Sequence, residues 1–249
     1  MCKPRRALPA MLNSSCRQAG VTLIELMIAG VIGVIVLAAL VTVYSTTATH
    51  SSRHLQDSHL HQQMHGMLHY ITDDIRRAGY WHFDPDTETP TGNLFQAENN
   101  RIRTDAWPGE TTGSCILYSY DLDQDGLIGV GRCAGRECAP GTDSDNVEQF
   151  GFRLRNRQLQ SRYGGHSFQC DTGYWQSLSD PDIEILAIEF IINTHCVNLN
   201  APNSACQANR SSLNIRLVEI YLQAQLQDQP DTRLTLRQPV HIRNDYLVE

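Results

Sequence analysis

The chain lacks the short motifs that mark the common enzyme classes. It has no G-x-S-x-G turn, no phosphate-binding P-loop, no H-E-x-x-H zinc helix and no dinucleotide-binding glycine run. Asp73 and Asp74 do not form a catalytic carboxylate pair, because adjacent residues of a helix point about 100° apart. The chain also has no internal repeat and no low-complexity tract. We therefore expect a folded protein that is not an enzyme.

Basic residues are scarce beyond the amino terminus. The formal net charge is -7, and the first 20 residues contain four bases, Lys3, Arg5, Arg6 and Arg17, with no acid. The remaining residues carry 16 bases against 27 acids, a net charge of -11. Phosphate contacts need clustered Lys and Arg side chains, so we expect no nucleic acid partner.

One long apolar run extends from Val21 to Tyr44, and Glu25 is its only charged residue. A helix of this length spans the roughly 30 Å of hydrocarbon in a bilayer. The basic residues before the run predict that the carboxy-terminal portion lies outside that membrane. A carboxylate inside the bilayer costs a few kcal/mol, and a plain anchor or signal peptide does not need one. Glu25 therefore indicates that another group pairs with its carboxylate.

The residues around this acid read G-V-T-L-I-E-L over positions 20–26 and resemble the class III leader and first helix of type IV pilins and pseudopilins. The resemblance implies a leader over residues 1–20. It implies that a prepilin peptidase cleaves after Gly20 and methylates the new amino group of Val21. It also implies that Glu25 neutralises the amino terminus of a neighbouring subunit in a filament. Valine at position 21, in place of phenylalanine or methionine, and the length of the leader depart from the family pattern.

A helical pattern continues beyond the apolar run. Its apolar positions recur mostly every three or four residues, at Leu55, Leu60, Met64, Leu68, Ile71 and Ile75. Gly79 offers a stop, so the sequence predicts one helix from about residue 22 to 78. We expect its first half to lie in lipid or in a filament core and its second half to pack on a globular domain.

Strand patterns dominate the remainder, after a proline-rich connection over residues 82–113. Predicted strands cover residues 115–120, 147–155, 158–163, 183–192, 218–226 and about 234–242. Strand 183–192 is nearly continuously apolar, which predicts that both of its faces are buried. Pro239 predicts that the last strand lies at a sheet edge or contains a bulge. The expected fold is the α+β pilin fold. It has a long helix over 21–80, transmembrane over 21–44, packed on a mostly antiparallel sheet in a head over 81–249.

Further segments narrow the resemblance to minor pilins of the PilW type and minor pseudopilins of the J type. They read I-T-D-D-I-R-R-A-G-Y over 71–80, F-G-F-R-L over 150–154 and L-S-D-P over 178–181, together with Trp175. The resemblance implies a low-abundance subunit that helps prime assembly of a type IV pilus and is incorporated into it. The alternatives are a minor pseudopilin of a type II secretion system and a membrane-anchored periplasmic enzyme or binding protein.

The resemblance also implies partners and a location. The partners are other minor pilins, the major pilin, the prepilin peptidase and the inner membrane, with a pilus-tip adhesin as a further candidate. Before assembly the chain would sit in a bacterial inner membrane with its head in the periplasm. After assembly it would lie in the pilus at the cell surface.

Six of the eight cysteines lie after the apolar run, in a region predicted to be exported, and this indicates disulfides. A tetrahedral zinc site would need paired Cys or Cys/His clusters, which the spacing does not supply. Six cysteines allow 15 pairings. Sequence proximity favours Cys133–Cys138 and Cys196–Cys206, which leaves Cys115 for Cys170.

Two further patterns suggest metal ions. Asp121, Asp123 and Asp125 form D-x-D-x-D-G, the start of a calcium loop, although the bidentate Glu of an EF-hand is missing and an acidic turn is the alternative. No other cofactor is expected.

Six of the ten histidines lie between His50 and His69. Because they recur at helical spacing, two of them could bind one transition-metal ion. The alternative is that they lie on a solvent-exposed side of the helix that makes a pH-dependent contact.

Overall fold

A computed structural model describes most of the chain. The described residues are 20–82, 92–122, 124, 128, 148–165, 167–201, 204–206 and 211–248. They form two compact units, Met1–Arg53 and His54–Glu249, and the first is described from Gly20 onward.

One helix, α1 (Leu23–Ile75), runs through both units. Its part within the first unit, up to Arg53, buries no side chain and is long and apolar enough to cross a membrane. In the second unit its buried side chains begin at Leu60, whereas Leu55 is 70% exposed. The predicted apolar stripe was therefore wrong at Leu55. It missed Met67, which is buried.

The described part of the head contains nine strands in two antiparallel sheets. The strands are β1 (Arg103–Asp105), β2 (Cys115–Ser119), β3 (Gln149–Arg155), β4 (Gln158–Gly164), β5 (Tyr174–Ser177), β6 (Ile183–Asn198), β7 (Ser212–Leu226), β8 (Gln229–His241) and β9 (Tyr246–Val248). Sheet A has the order β1-β2-β3-β4-β5. In sheet B, β7 lies between β6 on one side and β8 and β9 on the other. This confirms the α+β pilin arrangement, with the described strands divided between two sheets.

The core joins the second part of α1 to the inner faces of both sheets. Its members from α1 are apolar residues on one face, Leu60, Met64, Met67, Leu68, Ile71 and Ile75. Alternate residues of β2, β3, β6 and β7 supply most of the rest, because side chains of a strand point to opposite faces in turn. In the predicted strand 218–226 burial alternates as far as Ala224, with Val218, Ile220, Leu222 and Ala224 buried, and Gln225 is then buried as well.

Strands β3 and β4 form a hairpin. Asn156 and Arg157 form its turn with φ of 52° and 59°, as a two-residue hairpin turn with both φ positive requires. Arg157 also links the sheets, because its carbonyl accepts a hydrogen bond of 2.9 Å from the Ile185 N–H. Its guanidinium lies 3.0 Å from Glu184 Oε2. The turn therefore fixes sheet A against the start of β6.

Strand β6 differs from its prediction. It extends to Asn198, and only its inner face is covered, since Ile188 and Phe190 are buried whereas Ile191 is 43% exposed. A bulge between Ile185 and Ala187 shifts the alternation, which makes the run look apolar on both faces. The prediction of cover on both faces was wrong.

The other differences concern short or interrupted strands. β1, β5 and β9 have three or four residues and were not predicted. β1 and a single 3-10 turn, Leu94–Gln96, lie in the stretch predicted as connection. Pro239 lies in β8, which among the described strands pairs with β7 alone, so the predicted edge position is confirmed.

Candidate functional site

The first turn of α1 is closed by Thr22 and Glu25. The Thr22 hydroxyl accepts a hydrogen bond of 3.4 Å from the Glu25 N–H. The Glu25 carboxylate accepts in return from the Thr22 N–H at 3.3 Å and from its hydroxyl at 3.2 Å. This capping box satisfies N–H groups that have no partner inside a helix. Sequence reasoning missed it, although the T-x-x-E signature is visible over residues 22–25.

The charge of Glu25 is not balanced within the described part of its unit. The side chains around it, such as Ile24 and Leu26, are apolar and exposed. The only Lys or Arg in residues 20–53 is Arg53, about 42 Å away along a straight helix. Glu25 is therefore hydrogen-bonded by its own helix but offers a negative charge on an apolar surface.

The position predicted for cleavage is sterically open. Gly20 and Val21 are exposed. A side chain added at position 20 would meet no atom of the described residues within 4 Å. Packing within the described residues therefore sets no requirement for glycine at this position.

A buried carboxylate attaches the end of α1 to sheet A. Asp74 accepts hydrogen bonds from the hydroxyl of Tyr118 and, at 3.1 Å, from that of Tyr120. Arg77, one turn later, forms an ion pair with the same carboxylate. The Arg77 guanidinium also lies 4.6 Å from the centre of the Tyr120 ring. Asp73 instead points outward, where Arg76 binds it at 3.1 Å.

Burial and the Asp74 charge both act on the two tyrosines. Burial, followed by the nearby Asp74 carboxylate, raises the pKa of Tyr118 well above its ordinary value. The same two causes raise the pKa of Tyr120. Burial alone would lower the pKa of Arg77, but the neighbouring Tyr120 and Asp74 raise it above its ordinary value. The cluster therefore holds neutral phenols around one ion pair.

The carbonyls at the end of α1 are also held by the head. The Asn244 side-chain amide donates to the carbonyls of Arg77 and Ala78, both at 3.2 Å. Gly79 follows with φ of 75°, and its N–H donates to the Ser119 carbonyl at 2.7 Å. A left-handed glycine is the usual residue where a helix stops. The I-T-D-D-I-R-R-A-G-Y segment is thus the attachment point of helix and head.

Sequence reasoning missed an arginine–tryptophan layer on the outer face of sheet A. Arg153 lies between the rings of Trp107 and Trp175, at 4.4 and 4.1 Å from their centres. Arg155 lies 4.1 Å from the centre of the same Trp107 ring. Burial and the neighbouring Arg155 lower the pKa of Arg153 to about 10. Arg153 also donates to the Cys170 carbonyl at 2.6 Å, so the layer supports the loop that carries this cysteine.

Two disulfides are present in the described residues. Cys115–Cys170 joins β2 to the loop before β5, and Cys196–Cys206 closes a loop at the end of β6. They are two of the three pairs that the sequence predicted, one from proximity and one as the remaining pair. The third, Cys133–Cys138, lies outside the described residues.

The acidic loop is described only at its start. Asp121 Oδ2 accepts from the His82 N–H at 2.9 Å, and Oδ1 accepts from the Gln124 N–H at 2.6 Å. Asp123 and Asp125 lie outside the described residues. Calcium binding here stays a prediction. An unchanged melting temperature between chelator and millimolar calcium would refute it.

Two family models match the chain. The model of prepilin peptidase-dependent protein B matches residues 53–242, which is more than half of the chain. The model of the prokaryotic N-terminal methylation motif matches residues 15–41, a range that includes Gly20, Val21 and Glu25. Comparison with curated proteins finds no match, and neither does comparison with solved structures. The chain therefore belongs to the family of prepilin peptidase-dependent protein B, and it is a type IV pilin-like protein.

Proposed function

We propose that the chain is a minor pilin that helps prime assembly of a type IV pilus and is then incorporated into the fibre. Its family supports a pilin-type structural subunit rather than an enzyme. The observation that carries the proposal is the apolar, wholly exposed first half of α1 with Glu25 as its single charge. Such a surface suits a membrane before assembly and the interior of a fibre afterwards.

The proposed role of Glu25 is to pair with the amino terminus of a neighbouring subunit. Thr22 satisfies hydrogen bonds of the carboxylate but brings no positive charge. In a medium of low dielectric an ammonium and a carboxylate attract far more strongly than in water, while either charge alone is penalised. Cleavage after Gly20 would give every subunit both groups, on Val21 and Glu25. Each carboxylate could then bind the amine of the next subunit.

The absence of lysine after Lys3 allows a direct test of this pairing. All 16 bases beyond residue 20 are arginines, so the α-amine of Val21 would be the only aliphatic amine of the mature chain. A carbodiimide joins a carboxylate to an amine only where the two are in contact. Treatment of sheared fibres should give a cross-linked peptide in which Glu25 is bonded to the amino terminus of another subunit.

Two variants separate pairing from capping. Glu25→Gln keeps an acceptor for the Thr22 hydrogen bonds and removes the charge, so the cross-link and the incorporation into fibres should both be lost. Thr22→Ala removes the hydroxyl of the capping box and keeps the charge, so the cross-link should persist. Normal incorporation and normal pilus number with Glu25→Gln would contradict the proposal.

The location of the chain in the cell tests whether it belongs to a type IV pilus. Recovery of the chain from sheared surface pili is the expected result. Its absence from pili, together with loss of protein secretion on deletion, would instead assign it to a type II secretion system. An uncleaved leader in cells that make pili would argue for a membrane-anchored enzyme or binding protein.

A further inference from the structure

Three histidines form a ladder between two acids on α1. Asp57, His61, His65, His69 and Asp73 follow one another at intervals of four residues. Side chains at this spacing are neighbours on adjacent turns of a helix. No group of three His, Cys, Asp or Glu residues within the described part of the chain could hold a metal ion. A site on this ladder therefore has two ligands from the protein.

We propose that His65 and His69 form a binding site for a divalent transition metal, with Cu²⁺ as the ion held most tightly. Two histidines at positions i and i+4 of a helix can bind one metal ion, as in the H-x-x-x-H part of zinc helices. Among the common divalent ions, sites built from nitrogen ligands bind Cu²⁺ more strongly than Ni²⁺ or Zn²⁺.

The orientation of His69 supports this choice. Its Nδ1 lies 3.0 Å from Asp73 Oδ2, which leaves Nε2, the nitrogen farther from the backbone, available to a metal. A carboxylate on the second ring nitrogen is the usual way in which proteins orient a metal-binding histidine. Asp73 is itself held by Arg76, whose Nη1 lies 3.1 Å from Asp73 Oδ1. The same ion pair offsets the positive charge of Arg76 near the site.

His61 is less suited to the site. Its contact with an acid involves Nε2, which lies 4.0 Å from Asp57 Oδ1. The nitrogen that would reach toward the next turn is therefore the one that faces a carboxylate. The ring of His61 stacks beside that of His65, with centres 6.4 Å apart. His65 thus has a neighbouring histidine on either side, and His69 is the better-oriented second ligand.

The surroundings of His65 and His69 leave room for an ion and its water ligands. Both histidines line an open cavity of about 320 Å³, and Gln238 of β8 lines it as well. Both are exposed, so an ion can enter without movement of the fold. The remaining lining residues are Leu68, Thr72 and Arg76.

Copper titration of the full-length chain tests the proposal. His50 and His54 are also four residues apart, and the thiols of Cys2 and Cys16 would bind copper. Every sample should therefore carry His50→Gln, Cys2→Ser and Cys16→Ser, with a purification tag that has no histidine. The protein would be kept in detergent at a pH above the ordinary imidazole pKa of about 6.5. Calorimetry should detect one Cu²⁺ site, and pulsed electron paramagnetic resonance should count two coordinated imidazoles. Asp73→Asn should weaken binding roughly tenfold, and His65→Gln or His69→Gln should weaken it further.

His61→Gln is the matched control, because it lies on the same ladder and is similarly exposed. We expect it to leave both the affinity and the imidazole count unchanged. An equal loss with His61→Gln and His69→Gln would overturn the assignment, as would a single coordinated imidazole in the parent protein. Unchanged circular dichroism and melting temperature of each metal-free variant would show that the fold is intact.

Discussion

The hydroxyl of Tyr118 donates a hydrogen bond to the carboxylate of Asp74, 44 residues earlier in the chain, and both side chains are buried. The contact joins the last turn of α1 to β2 of sheet A. A buried carboxylate is strongly destabilising without its hydrogen-bond donors, so Asp74 must stay beside the tyrosines. This pair therefore fixes the second part of α1 against sheet A.

The first prediction concerns the stability of this attachment. Asp74→Asn removes the charge that binds Tyr118, Tyr120 and Arg77. These three neighbours are all hydrogen-bond donors, so the NH2 group of the new amide would find no acceptor among them. Because Arg77 is half-exposed and can turn to water, we expect a loss of about 2–4 kcal/mol in the free energy of unfolding. Urea titration followed by circular dichroism measures it.

Asp73→Asn is the natural control for that experiment. Asp73 is the adjacent residue, and its partners Arg76 and His69 lie with it on the helix surface. Exposed ion pairs contribute little, so the expected change is within about 0.5 kcal/mol. Equal losses from the two variants would show that the buried position of Asp74 has no special importance.

The second prediction concerns alkaline pH. Because the pKa values of Tyr118 and Tyr120 are raised in the folded state, the unfolded chain releases these protons first as pH rises. Stability should be unaffected below the ordinary tyrosine pKa of about 10 and should fall above it, by about 1.4 kcal/mol per pH unit for each tyrosine. Unfolding titrations across this pH range measure the slope.

Tyr118→Phe isolates the contribution of one phenol. The variant has one phenol fewer whose pKa is raised by folding, so its stability should decline less steeply above about pH 10 than that of the parent. Tyr174, an exposed tyrosine, is the matched control, and Tyr174→Phe should keep the full slope. A parent protein whose stability stays flat across this range would contradict the raised pKa values.

The sequence predicted the elements whose pattern is regular and repeated. The helix was evident because a long apolar run over 21–44 is followed by apolar residues at helical spacing up to Ile75, and Gly79 marked its end. Strand β7 was evident because apolar residues alternate with more polar ones over residues 218–226. Strand β6 was misjudged because the bulge at Ile185 moves residues of one face into the sequence positions of the other. Short strands such as β1 carry too few residues to show a period.

The candidate site was predictable only in part, for a similar reason. Gly20, Val21 and Glu25 lie within one short motif, so the sequence alone brings them together. The pairing of Asp74 with Tyr118 joins residues of two distant elements, and nothing in either segment specifies the other. Arg153 and its tryptophans come from three separate segments for the same reason. A sequence motif can therefore predict a site whose residues are close together in the chain. Contacts between distant elements can be identified only once the fold is known.

The third prediction compares the two disulfides. Cys115–Cys170 closes a loop with a separation of 55 residues and lies in a buried cluster, whereas Cys196–Cys206 closes one of 10. Loop-closure entropy gives about 4 kcal/mol for the longer loop and about 3 kcal/mol for the shorter one. Replacing both cysteines of a pair by alanine should therefore cost more at Cys115–Cys170, as measured by urea unfolding. A larger loss from the Cys196–Cys206 variant would contradict this order.

The fourth prediction concerns the maturation of the amino terminus. Position 20 is open in this chain, so Gly20→Leu should fold normally but should block cleavage, because the obstacle lies in the peptidase. The precursor should then keep the amines of Met1 and Lys3, and the parent should keep only that of Val21. Labelling with an amine-reactive reagent and mass spectrometry of the first peptide distinguish the two cases.

The same labelling also reports methylation. A methylated Val21 amine can accept only one further methyl group in reductive methylation, whereas a free amine accepts two. We expect Val21 from cells with the prepilin peptidase to accept one, and the chain from cells without the enzyme to keep Met1 and Lys3. Gly30→Leu is the control, because a side chain at position 30 also meets no atom of this chain but lies away from the cut. A mature chain that begins elsewhere than at Val21, or a Gly20→Leu variant cut as efficiently as the parent, would contradict the assigned cleavage point.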